Sequence, residues 1–236
     1  MPGLSEAAVI IKICGITQEQ DAKAAEALGA SFCGFIFHPK SPRAIRPEVA
    51  ASLDTGAMKR VGVFVDQDEQ EILRCMRKAN LDYAQLHGDQ SQACARAIGR
   101  DRVIRVLWPE RYGHKAELYR ALQNYADSCA YYLFDVGTKG GGHGRTLDWD
   151  ELCGLEAPHP WLIAGGLTPG NIVQALWESR PFGIDVNSGI EEAPGKKDHR
   201  KMTTLFHSVR TCYHSNGLTR AFQAKGGAQS RARCMR

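Results

Sequence analysis

Three kinds of residue in this chain could act together: a thiol, carboxyl and imidazole groups, and loops rich in glycine. Cys14 ends an apolar run and is followed at once by Gly15. Asp135 ends another and precedes a loop holding Gly137, Gly140, Gly141, Gly142 and Gly144. Asp66 and His87 close further runs, and His38, Lys40 and Arg43 follow one more. Gly165 and Gly166 come later, and Asp185, Asn187, Ser188 and Gly189 later still. A thiol of ordinary pKa, about 8.5, and an aspartate of about 3.9 are a base candidate and an acid candidate once their surroundings shift them. Glycine lets backbone N–H groups approach a phosphate closely. The set suits proton transfer on a phosphorylated ligand.

Such residues work only if the chain brings them to one place. Short runs rich in β-branched and aromatic residues occur at 9–13, 32–37, 60–65, 82–86, 103–108, 131–135, 161–164 and 182–187. Most are continuously apolar, as in strands buried on both faces of a parallel sheet. Helical spacing fills the gaps at about 18–29, 47–53, 68–79, 90–98, 115–126, 169–178 and 197–211, with a short segment at 148–153. Thr17 reads as an N-cap, Thr168 with Pro169 as N-cap and N1, and Gly29 as a helix end. Eight strand–helix units predict an α/β fold, a single-domain (β/α)8 TIM barrel over 1–212. A doubly wound sheet would carry its glycine loop after the first strand, where none stands. In a barrel the candidate residues meet at the C-terminal ends of the strands, and late glycine loops form a phosphate site.

The composition narrows the partners. The chain has 236 residues and a net charge of +4. Residues 213–236 contain Arg220, Lys225, Arg231, Arg233 and Arg236 and no acidic residue, so the rest is close to neutral and lacks the basic face of a nucleic-acid binder. That segment reads as a basic, disordered tail. The eight cysteines include no C-x-x-C pair and read as reduced thiols of a cytoplasmic protein. No run is long enough for a membrane span, and no metal-ligand spacing is present.

KICGIT (12–17), GFIFHPKSPR (34–43), VGVFVD (61–66), QLHGD (85–89), FDVGTKGGGHG (134–144), LIAGGL (162–167) and DVNSGIEEAPGKKD (185–198) resemble, in order, phosphoribosylanthranilate isomerase of tryptophan biosynthesis. The resemblance covers roughly residues 9–211. It implies an Amadori rearrangement of N-(5-phosphoribosyl)anthranilate without metal or cofactor, by a monomer or homodimer. It implies that Asp135 is the acid, Cys14 the base and Arg43 the grip on the anthranilate carboxylate. His87 lines the pocket. Asp185 holds a ribose hydroxyl or, alternatively, pairs with Lys12 inside the barrel. Gly141, Gly142, Gly144, Gly165, Gly166, Ser188 and Gly189 take the phosphate. His143 and Asn187 depart from the family, which usually has a small hydroxyl residue and a serine there. Lys12, two residues before Cys14, is a possible source of a lowered thiol pKa.

Two other readings stand beside this one. Another phosphate-binding barrel, such as an epimerase or a dual-substrate aminoaldose isomerase, shares the loops; the histidine-pathway enzyme would use two aspartates. A non-catalytic barrel that binds a phosphorylated ligand would be expected to lose Cys14 or Asp135.

Overall fold

The runs of β-branched and aromatic residues form eight parallel strands: β1 (Ile10–Ile13), β2 (Phe32–Ile36), β3 (Lys59–Phe64), β4 (Tyr83–Leu86), β5 (Val103–Leu107), β6 (Tyr131–Asp135), β7 (Trp161–Ala164) and β8 (Gly183–Val186). They pair in chain order, and β8 pairs with β1 to close a barrel. The structure, a computed structural model, describes residues 9–136 and 149–215. Around the barrel lie α1 (Glu19–Ala27), α2 (Pro47–Ser52), α3 (Glu69–Lys78), α4 (Gln92–Ile98), α5 (Lys115–Tyr125), α6 (Ile172–Ser179) and α7 (His199–Ser215). Between β6 and β7 the described connection is a short 3-10 turn, Trp149–Leu152.

The alternation of a strand explains the two apolar layers. Outward residues such as Ile13, Phe35, Phe134 and Ile163 are buried against the helices. Inward residues such as Val61, Ile104, Leu133 and Leu162 fill the barrel. At its N-terminal end Phe32, Tyr83 and Tyr131, from alternate strands, pack ring against ring with centroids 5.5 to 6.0 Å apart. The fourth place in that layer, on β8, belongs to Gly183. A Cβ there would lie 2.6 Å from the carbonyl oxygen of Ile10, so β8 closes on β1 only without a side chain.

Several expected ends moved. Thr17 does not cap α1; its hydroxyl donates to the carbonyl of Gly195, and Gln18 takes the N-cap position. Gly29 does follow α1, with φ +90°. Residues 168–171 form a turn rather than the start of α6, because Asn171 accepts from the Thr168 amide and donates to the Gly166 carbonyl. The last helix runs to Ser215, three residues into the segment expected to be tail. A hairpin of β9 (Glu191–Ala193) and β10 (Lys196–Lys197) was not expected. Cys14, Cys33, Cys75, Cys94 and Cys129 are free thiols, whereas Cys153 is disulfide-bonded, against the expectation of reduced cysteines throughout. No helix among the described residues is long and apolar enough to cross a membrane.

Gly183→Ala should lower the unfolding free energy by about 1–3 kcal/mol, the usual cost of overpacking a filled core. A urea titration monitored by circular dichroism would measure it. An unchanged midpoint would show that the barrel can widen at this seam.

Candidate active site

The C-terminal mouth of the barrel opens on a cavity of about 360 Å³. Seven of the eight strands, all but β5, carry residues into its lining at their ends or just beyond, by the same parity that fills the interior. Cys14 continues β1, and its amide donates to the Val186 carbonyl of β8 at 2.9 Å. Asp135 is the last residue of β6. His87 follows β4, its amide held by the Phe64 carbonyl at 2.8 Å. Asp185 lies within β8, in register with Lys12 on β1. All four cavity residues, Cys14, His87, Asp135 and Asp185, share its lining with Gly165, Gly166, Ser188 and Gly189. Ile36, Val63, Gln85 and Leu133 also line it and were not singled out, although Gln85 stands two residues before His87 and so shares its face. Gly141, Gly142, Gly144 and His143 lie outside the described residues.

Below Cys14 sits a buried ion pair. Lys12 Nζ donates to both carboxylate oxygens of Asp185 at 2.9 Å. Burial alone would lower the Lys12 pKa, but the Asp185 carboxylate outweighs it and holds the ammonium charged. The pair with Lys12, one of the two roles open to Asp185, is therefore formed, and it leaves carboxylate lone pairs facing the cavity. For Cys14 the balance runs the other way. Burial pushes the thiol up, Lys12 pulls it down, and the net shift is upward. Lys12 limits the rise rather than producing a low pKa. Lys12 was a possible source of a lowered thiol pKa, and in the structure it offsets only part of an upward shift caused by burial.

His87 lies 3.6 Å through Nε2 from Asp135 Oδ2. Burial lowers its pKa, against the pull of Asp135 and Asp185, so the ring is neutral at neutral pH. The Gln85 amide nitrogen stands 3.3 Å from His87 Nδ1. With that amide donating, Nδ1 accepts and the ring proton sits on Nε2, facing Asp135. His87 therefore offers a neutral donor beside the carboxyl.

The rim is pinned by side-chain amides. Gln67 accepts from the Val65 amide and donates to the Phe37 carbonyl, joining the loops after β3 and β2. Gln90 does the same between the Gly88 amide and the Val65 carbonyl. On the far side Gly165 and Gly166 take φ values of +98° and +63°, which L side chains rarely adopt. A Cβ on Gly189 would lie 1.9 Å from the Leu167 carbonyl oxygen, so the loops after β7 and β8 touch backbone to backbone.

Arg43 is not among the residues lining the cavity. It stands on the rim behind Gly15, where a Cβ would meet Arg43 Cδ at 3.0 Å. Its guanidinium is engaged by Glu191, with Nε to Oε1 at 2.9 Å and Nη2 to Oε2 at 2.7 Å. Glu191 in turn accepts from Lys197 Nζ at 2.9 Å. Neither Glu191 nor Lys197 was a candidate from sequence; the only signal was a run of charges within the EEAPGKKD segment. Among the described residues no group of three or more His, Cys, Asp or Glu converges as metal ligands do.

A sequence model of the N-(5'-phosphoribosyl)anthranilate (PRA) isomerase family matches residues 11–208. An N-(5'-phosphoribosyl)anthranilate isomerase of Desulfovibrio desulfuricans is 57% identical over 194 residues, covering 82% of this chain and 92% of that one. The crystal structure of phosphoribosyl anthranilate isomerase from Thermotoga maritima is 35% identical, covers 86% of this chain and 98% of its own, and superposes with a TM-score of 0.75. A phosphoribosyl anthranilate isomerase in complex with reduced 1-(o-carboxyphenylamino)-1-deoxyribulose 5-phosphate is 33% identical with the same coverages and a TM-score of 0.72.

Removing the ammonium below the thiol should raise the Cys14 pKa further. In Lys12→Met, alkylation of Cys14 by iodoacetamide, followed by peptide mass spectrometry, should need a higher pH than in the wild type. An unmoved profile would show that Lys12 does not act on the thiol.

Proposed function

The chain belongs to the N-(5'-phosphoribosyl)anthranilate isomerase family, and we propose that within its reaction Cys14 is the base and Asp135 the acid. The enzyme is an isomerase of tryptophan biosynthesis that converts N-(5-phosphoribosyl)anthranilate into 1-(2-carboxyphenylamino)-1-deoxyribulose 5-phosphate. The observation that carries the assignment of roles is one cavity lined by both a thiol and a carboxyl, from strands three apart around the barrel.

The chemistry asks for a proton on one side and its removal on the other. Asp135 protonates the furanose ring oxygen, and the ring opens to a Schiff base. His87, neutral and donating through Nε2, supports the oxygen as it develops. The iminium acidifies the C2 proton, and Cys14 removes it. The resulting enolamine tautomerises to the ketone. The carboxylate of Asp185 has lone pairs beyond those used by Lys12, enough to accept a ribose hydroxyl. Gly165, Gly166, Ser188 and Gly189 present backbone to the phosphate, in the place after the seventh and eighth strands where barrels commonly hold one. Gly141, Gly142 and Gly144 join them in this reading. Arg43 takes the anthranilate carboxylate with the edge of its guanidinium that Glu191 leaves open.

The same reading places the enzyme in the cytoplasm, as a monomer or homodimer. The Thermotoga maritima protein is described as dimeric. The biosynthetic role of the family supports the location.

Turnover of N-(5-phosphoribosyl)anthranilate by Cys14→Ala and Asp135→Asn tests the roles. Each variant should keep the circular dichroism of the wild type and lose about 10²–10⁴-fold or more in kcat, the usual worth of a general acid or base. A folded variant within tenfold of wild-type kcat would remove that residue from the mechanism.

A further inference from the structure

Arg43 is held from behind by two buried groups that the proposed mechanism does not use. Glu191, on β9, is 8% exposed and Lys197, on β10, is 2% exposed. Glu191 receives Arg43 through Nε and Nη2, and it also accepts from Lys197 Nζ at 2.9 Å and from the Gly195 amide at 3.2 Å. Lys197 Nζ reaches on to Asn187 Oδ1 at 2.9 Å. Asn187 lines the cavity, and its Oδ1 lies 2.6 Å from where a Cβ on Gly15 would stand. The hairpin thus fixes both Arg43 and Asn187 against the residue next to Cys14.

Geometry and charge point the same way. A guanidinium has two edges that match a carboxylate. Glu191 occupies the Nε edge and so fixes the plane of the other. Glu191 alone would also cancel the charge of Arg43. Burial lowers the Lys197 pKa, but its contact with the Glu191 carboxylate at 2.9 Å favours the ammonium, and in that form the trio carries one net positive charge. Burying two further ionised groups is costly, and a hairpin built only for stability would gain more from apolar residues.

We infer that the Glu191–Lys197 pair is a positioning and charge-restoring device for Arg43, and so determines selectivity for a substrate that carries an aryl carboxylate. The inference rests on the reading of Arg43 given above. Asn187, where the family usually has serine, is the second arm of the device, long enough to meet Lys197.

The test compares two substrates, N-(5-phosphoribosyl)anthranilate and its carboxylate-free counterpart N-(5-phosphoribosyl)aniline. The readout is the ratio of their kcat/KM values. Arg43→Ala should lower that ratio. Glu191→Gln should lower it about tenfold, the worth of a charge-assisted hydrogen bond, mainly through KM for the anthranilate. Glu191→Asp should recover most of the loss. In an Arg43→Ala background Glu191→Gln should change the ratio no further. Lys197→Met should lower the ratio in the same direction, and it carries the test should Glu191→Gln fail to fold. An equal loss on both substrates, or a full effect on top of Arg43→Ala, would mean a merely structural hairpin and overturn the inference. If Arg43→Ala itself leaves the ratio unchanged, the carboxylate reading of Arg43 falls, and the inference with it.

Discussion

The ion pair between Lys12 and Asp185 is the interaction on which the rest of the site depends. Both groups are inside the barrel, one wholly buried and the other nearly so. Taking two charges out of water costs several kcal/mol per ion even after relaxation. Two hydrogen bonds of 2.9 Å offset that cost, and they span the seam between the first strand and the last. Removing one partner would strand a buried charge, typically about 3–5 kcal/mol of destabilisation. A Met–Leu pair could close the seam as firmly, so stability alone does not account for the charges. Their position does: the ammonium lies below Cys14, and both charges act on His87.

The pair also frames a tension at Cys14, the proposed base. The dry cavity that favours proton transfer to and from carbon is the same one that disfavours a thiolate. Each unit of upward shift in a pKa costs about 1.36 kcal/mol in available base. Lys12 and, more distantly, Lys197 pull the thiol back, yet burial wins. In the proposed mechanism, a thiol shifted upward by burial depends on the substrate to present an acidic proton. In that mechanism the iminium formed on ring opening is what makes the C2 proton acidic enough for the thiolate form to remove. On that proposal acid and base act in order, the carboxyl before the thiol is needed.

Much of this was legible in the chain. Mostly apolar runs matched every barrel strand to within a residue or two, because strands buried on both faces leave few polar positions in the run. The strand ends then named Cys14, His87, Asp135 and Asp185 as cavity neighbours. What stayed hidden depends on partners far away in sequence. Glu191 and Lys197 look like surface charges until the hairpin folds them under Arg43, and the Pro194–Gly195 pair was the one local sign of that turn. The start of α6 was misplaced because Asn171 stitches residues 166–171 into a turn, and this outweighs the preference of Pro169 for a first helical turn. The sign of the shift at Cys14 could not be read at all, since it is the difference between burial and a neighbouring charge.

The aromatic layer at the other end of the barrel has a consequence for traffic. Phe32, Tyr83 and Tyr131 plug the N-terminal opening, where Gly183 lets β8 close against Ile10 and Leu162. The interior is a dead end rather than a corridor. Everything enters and leaves by the catalytic mouth, so the ketose must depart before the next aminoaldose can arrive. Product and substrate share one doorway.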